Sequence, residues 1–164
     1  LIPLYRQEGE LQAHREKMAY AALLSGITLA QVGLGSVHGL ASPLGAFFPI
    51  PHGVVCGTLV ASTTRINIHS MSVREPNNTA LAKYWRATEI LCQRRFIDPQ
   101  VAFNKLIDLL AQWTNELALP RLSHYGLQET ALDKVIAHCR GSSMKTNPIV
   151  LTDEEIRQVL LERL

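Results

Sequence analysis

Two histidines, His38 and His52, sit inside a stretch from Met18 to Thr64 that contains no Asp, Glu, Lys or Arg. The text around them reads GLGSVHGLASPLGAFFPIPHG, Gly33 to Gly53, and a glycine follows each histidine. So long an uncharged stretch is expected to be largely buried, and a buried imidazole needs a polar partner. The neutral ring presents a lone pair suited to a transition metal such as zinc or Fe(II). Two readings fit. The rings are either hydrogen-bonded within a core, or they are part of a metal site that needs three or four ligands. The spacing is not a recognised ligand spacing, and no third ligand is obvious nearby. Cys56, one turn after His52, can face the same site, although a small thiol more often packs in a core. Gly39 and Gly53 are expected to let backbone approach the histidines closely.

The elements that must position these side chains read as helices, because apolar residues recur with helical spacing and no strand-type alternation appears. Residues 9–32 predict a long helix, charged early and apolar on every side later, ended by Gly33 and Gly35. A shorter helix is expected over 36–47, broken by Pro49-Ile50-Pro51, and a third from Pro51-His52 to about residue 69. An exposed turn at 74–78 precedes a helix over 79–95. Asp98 can cap the next helix with Pro99 in its first turn, and that helix runs to about residue 117. Its apolar face is expected to carry Val101, Leu106, Leu109, Leu110 and Trp113. Two short helices follow over 129–139 and 153–163, the last fixed by a Thr152–Glu155 capping box. The fold class is therefore all-α, an irregular multi-helix bundle of six to eight helices.

At 164 residues, 47% hydrophobic and 18% charged, the chain has the composition of one globular helical domain. A net charge of +2, with Arg94-Arg95 as the sole adjacent basic pair, leaves no electrostatic footprint for nucleic acid. Three separated cysteines without a CxxC pair point to reduced thiols and a cytoplasmic protein. No membrane span is expected, since Gln31, His38, Pro43, Pro49 and Pro51 interrupt the uncharged run. Residues 1–16 are too polar and acidic for a signal peptide. The chain begins with Leu1 and enters a core-type helix within twenty residues, which suggests a fragment of a longer chain.

The segment from Gly33 to Asn67 resembles the signature of the iron-containing (group III) alcohol dehydrogenases. That family carries a motif of the form GxxHxxAHxLG followed by PHG, then a helix ending near an asparagine. His38, Ala41, Leu44 and Gly45 fall on the first part, and Pro51, His52 and Gly53 on the second. Leu119-Pro120, Tyr125-Gly126-Leu127 and Asn147-Pro148 resemble the family's closing segments, so the likeness spans nearly the whole chain. It implies a dehydroquinate-synthase-like helical domain over 1–164 that holds metal and substrate, within a two-domain protein whose N-terminal α/β domain binds NAD(P). It implies four ligands to a divalent metal, Fe2+ or alternatively Zn2+: an Asp and a His from an earlier helix, then His38 and His52. The first two have no counterpart here, so the isolated chain is expected to be inactive.

One position departs from the motif: Ser42 stands where the family has its second histidine, a proposed proton relay beside nicotinamide and substrate. Serine donates and accepts hydrogen bonds but is no base near pH 7. Proton release then runs through water, or the substrate differs from the family's usual one; loss of catalysis is a third option. No catalytic side chain and no cofactor-binding residue is otherwise assigned. The resemblance implies an oxidoreductase that transfers hydride between a small alcohol or aldehyde and nicotinamide. The alternatives are a zinc-dependent glycerol-dehydrogenase-like relative and a non-catalytic helical interaction module. Apolar surface left where the missing helices belong is expected to favour a homo-oligomer. His14, His69, His124 and His138 read as solvated or capping, Phe47 and Phe48 as core, and Trp85 and Trp113 as interhelical packing. Gly33 and Gly35 make a poor phosphate loop, because no strand precedes them.

Overall fold

The computed structural model describes residues 1–164 and is built of helices. The order is α1 (Ile2–Tyr5), α2 (Leu11–Val32), α3 (Ser36–Phe47), α4 (His52–Arg74), α5 (Thr79–Cys92), α6 (Pro99–Glu116), α7 (Leu132–His138), α8 (Ser142–Lys145) and α9 (Asp153–Leu161). Single 3-10 turns occupy Leu122–Tyr125 and Glu129–Ala131, and there is no strand. Gly33 ends α2 at φ 76°, a left-handed-side conformation that costs glycine little. Gly35 does not help to end α2; it is extended and stands at the N-cap of α3. The Asp98 carboxylate accepts from the Gln100 amide at 2.8 Å, with Pro99 in the first turn of α6. In the Thr152–Glu155 capping box, the Thr152 hydroxyl accepts from the Glu155 amide and the Glu155 carboxylate accepts from the Thr152 amide.

Helix α4 is the axis of the bundle, packed by α3, α5, α6 and α9. It buries Val55, Leu59, Ile66 and Met71 together with the small polar residues Thr58, Ser62, Thr63, Thr64 and Ser70. Small side chains let neighbouring helices approach from several sides, and hydroxyls can return hydrogen bonds to the helix's own carbonyls, as Ser62 does to Leu59. The main core joins Leu40 and Leu44 of α3 to Leu59 of α4, Val135 and Ile136 of α7, and Ile156 and Leu160 of α9. A smaller cluster of Ile68, Phe103 and Leu106 seats α6 on α4, with Trp85 packed against it as expected of an interhelical residue.

Several expectations need correction. Nine α-helices stand where six to eight were expected, and the helix begun at His52 runs on to Arg74, past residue 69. The uncharged stretch is buried in α3 and α4 but not before them: α2 has no buried residue, with Tyr20 63%, Ile27 52% and Val32 70% exposed. Absence of charge reports an affinity for apolar surroundings and does not say which surface supplies them. Val101 lies on the open side of α6, 51% exposed, while Ala102, Phe103 and Leu106 are buried and Leu109, Leu110 and Trp113 are half-buried. The fifth helix stops at Cys92, short of residue 95, because Gln93 adopts the left-handed conformation at φ 51°. No single helix is long and apolar enough to cross a membrane; α2 and α3 meet both conditions only as a pair bent by 100°.

Candidate metal centre

His38 reaches the site from the first turn of α3, and a distant residue fixes that turn. The Asn147 side-chain oxygen accepts from the Ser36 backbone amide at 3.0 Å and from the Ser36 hydroxyl at 2.8 Å. A helix start leaves its first amides without partners, so this long-range contact does the work of a cap. Asn147 in turn donates to the Asn67 side chain at 2.9 Å and to the Ile149 carbonyl at 2.7 Å. Asn67 lies on α4, so one polar knot ties the start of α3 to the helix that carries the second histidine.

His52 is the first residue of α4, directly after the Pro49-Ile50-Pro51 break. Helical geometry then sets Cys56 over it, since residues four apart share a face. The cysteine Sγ lies 3.5 Å from His52 Nε2 and 3.7 Å from His38 Nε2. The two ring centroids are 5.3 Å apart and tilted by 52°. One donor atom from each of His38, His52 and Cys56 falls within 4.8 Å of the others. Contrary to the expectation of burial, His38 is half-buried and His52 exposed. Their partner is the cluster itself.

Desolvation, then the neighbouring His52, push the His38 imidazole below its ordinary range and favour its neutral form. Burial pushes the Cys56 thiol up. This donor set fits a divalent cation. Bonds of about 2.3 Å to sulfur and about 2.0–2.1 Å to nitrogen let one cation bridge sulfur–nitrogen separations of up to about 4.4 Å.

Ser42 lies one turn past His38 on α3 and is exposed. The glycines after the histidines do not open the site. A Cβ on Gly39 would meet Met144 Cε at 2.8 Å and the Cys139 carbonyl at 3.0 Å, whereas Gly53 has nothing within 4 Å. A cavity of about 370 Å3 opens beside the donors, lined by Ser36, His38, Cys56, Thr63, Asn67 and Tyr84 among others. The buried Thr63 hydroxyl has no hydrogen-bond partner there. His69, His124 and His138 are exposed away from the donor cluster, and His14 is half-buried on α2. Phe47 and Phe48 pack against the main core, as expected.

Sequence reasoning allows Cys56 at the site on its spacing from His52 but ranks core packing above it, and the structure sets it beside both histidines. It had no signal for Thr63 or for the Ser36–Asn147 contact.

The profile of the Fe-containing alcohol dehydrogenase family, C-terminal, matches residues 2–164, and the chain belongs to that family. It is 30% identical to 1-propanol dehydrogenase PduQ of Salmonella typhimurium over 172 residues, covering 99% of this chain and 44% of the relative. It is 29% identical to alcohol dehydrogenase 4 of Schizosaccharomyces pombe over 154 residues, covering 92% of this chain and 33% of the relative. The crystal structure of a 1,3-propanediol oxidoreductase superposes with a TM-score of 0.81 at 26% identity, over 95% of this chain and 39% of the other. The chain thus spans less than half the length of these relatives. The match favours neither the glycerol-dehydrogenase-like alternative nor the non-catalytic module.

Proposed function

We propose that this chain is the metal-holding part of an NAD(P)-dependent oxidoreductase acting on small alcohols or aldehydes. The observation that carries the reading is the convergence of His38 and His52 on one point from two helices, each held by the fold. Both rings would bind a divalent cation, Fe2+ or Zn2+, with further ligands from outside residues 1–164. When bound, that cation supplies Lewis-acid polarisation of the alcohol oxygen. The histidines act as fixed ligands and move no proton. Ser42 can accept and pass on a hydrogen bond but cannot hold the released proton near pH 7, so the proton leaves to water.

The adjacent cavity of about 370 Å3 supports a small substrate. Nicotinamide, which an N-terminal α/β domain would bind, would accept hydride from the alcohol carbon. The apolar exposed side chains of α2 support association into a homo-oligomer, and the reduced thiols support a cytoplasmic location.

The test is the purified whole protein, assayed for reduction of a panel of small aldehydes with NADH and NADPH. Turnover is expected after loading with Fe2+ or Zn2+, and is expected to fall at least tenfold in His52→Ala. No nicotinamide oxidation with any of the panel under metal-loaded conditions would overturn the reading. The isolated chain is expected to give none.

A further inference from the structure

We propose that Cys56 is a metal ligand, so that this chain presents a two-histidine, one-thiolate face to a borderline-soft divalent cation such as zinc. The proposal rests on the reading that His38 and His52 bind metal, and adds a third donor that changes which metal the site prefers. Three observations carry it. Helix α4 places His52 and Cys56 on one face, a chelating pair one turn apart. The sulfur stands 3.5 and 3.7 Å from the two Nε2 atoms, separations that one cation bridges with zinc–sulfur bonds of about 2.3 Å and zinc–nitrogen bonds of about 2.0–2.1 Å. The third donor, His38, comes from a helix whose start is pinned to α4 through Asn147 and Asn67, so the triangle does not depend on a flexible loop.

The other thiols are elsewhere: Cys139 is buried in the main core with its sulfur on the Ile136 carbonyl, and Cys92 ends α5. On binding, the Cys56 S–H bond breaks, its proton goes to solvent and the sulfur lone pair goes to the cation; no electron is transferred. Thiolate is a soft ligand that favours zinc over Fe(II), and affinity order already runs the same way.

The test is cobalt substitution in the whole protein after removal of its metal by chelation. Co(II) bound by thiolate gives an intense near-ultraviolet charge-transfer band that nitrogen and oxygen ligands do not give. One equivalent of Co(II) is expected to bind with that band. Cys56→Ser is expected to bind cobalt without the band and to hold zinc at least tenfold more weakly, while Cys92→Ser keeps both. Far-ultraviolet circular dichroism verifies that each variant is folded. Should the Cys56→Ser protein misfold, the wild-type band decides. Cobalt bound without the band, or a band that persists in folded Cys56→Ser, would overturn the role of Cys56 and leave the histidines as ligands. Failure of the protein to bind cobalt at all, in wild type as in His38→Ala, would overturn both readings.

Discussion

Asn67 and Asn147, eighty residues apart, face each other amide to amide: Asn147 Nδ2 donates to Asn67 Oδ1 at 2.9 Å, and Asn67 Nδ2 returns a longer bond of 3.3 Å. Through the same Asn147 oxygen the pair holds the first amide of α3, two residues before His38. The candidate metal centre is therefore positioned by a polar knot outside it.

Removing that knot leaves buried groups unpaired. Asn147→Ala is expected to lower unfolding stability by about 1–3 kcal/mol, the usual penalty for orphaned buried donors and acceptors. It should also weaken metal binding, because the start of α3 is no longer fixed. Urea denaturation and a metal titration on the same preparations measure the two effects. An Asn147→Ala protein with unchanged midpoint and affinity would show that the knot is dispensable.

The close approach of α3 to the 139–144 turn gives a second expectation. Gly39→Ala places a Cβ where the Cys139 carbonyl and the Met144 side chain already stand, at 3.0 and 2.8 Å. Met144 can swing aside, but the carbonyl cannot. The expected cost is about 1–3 kcal/mol, read as a lower denaturation midpoint. Gly53→Ala, where a Cβ meets nothing within 4 Å, is the control and should be near neutral.

Glu155 sets a pH dependence of stability. Partial desolvation alone would raise its carboxyl. The Ser70 hydroxyl, the Thr152 amide and the Arg74 guanidinium outweigh that, and together they hold it below its usual range. A carboxylate depressed in the folded state stabilises above its unfolded value of about 4.3, and that contribution is lost as pH falls through the lower folded value. Thermal unfolding followed from pH 6 downwards should therefore show an acid loss, shallower in Glu155→Gln. Identical slopes for the two proteins would contradict the assignment.

Local signals were legible in the sequence where physics is local. Asp98-Pro99 and Thr152–Glu155 mark helix starts because the partners lie within one turn, and the structure keeps both. The two histidines stood out because polar rings in an uncharged run demand an explanation. Cys56 was half legible, since helical spacing puts it over His52 but says nothing of whether His38 also arrives. Asn147 was not legible as a cap, because its partner Ser36 is 111 residues away. Nor could the exposure of α2 be read, because Tyr20, Ile27 and Val32 have the same composition whether their covering surface is near or far. The four-residue helices α1 and α8 are too short to show a period.

The most direct test of the central claim is the metal content of the whole protein, by elemental analysis after dialysis against limiting free zinc, in wild type, His38→Ala and His52→Ala. One ion per chain in wild type, falling well below half in each folded variant, is the result expected if, as proposed, each ring is a direct ligand. One ion per chain in all three proteins would contradict it.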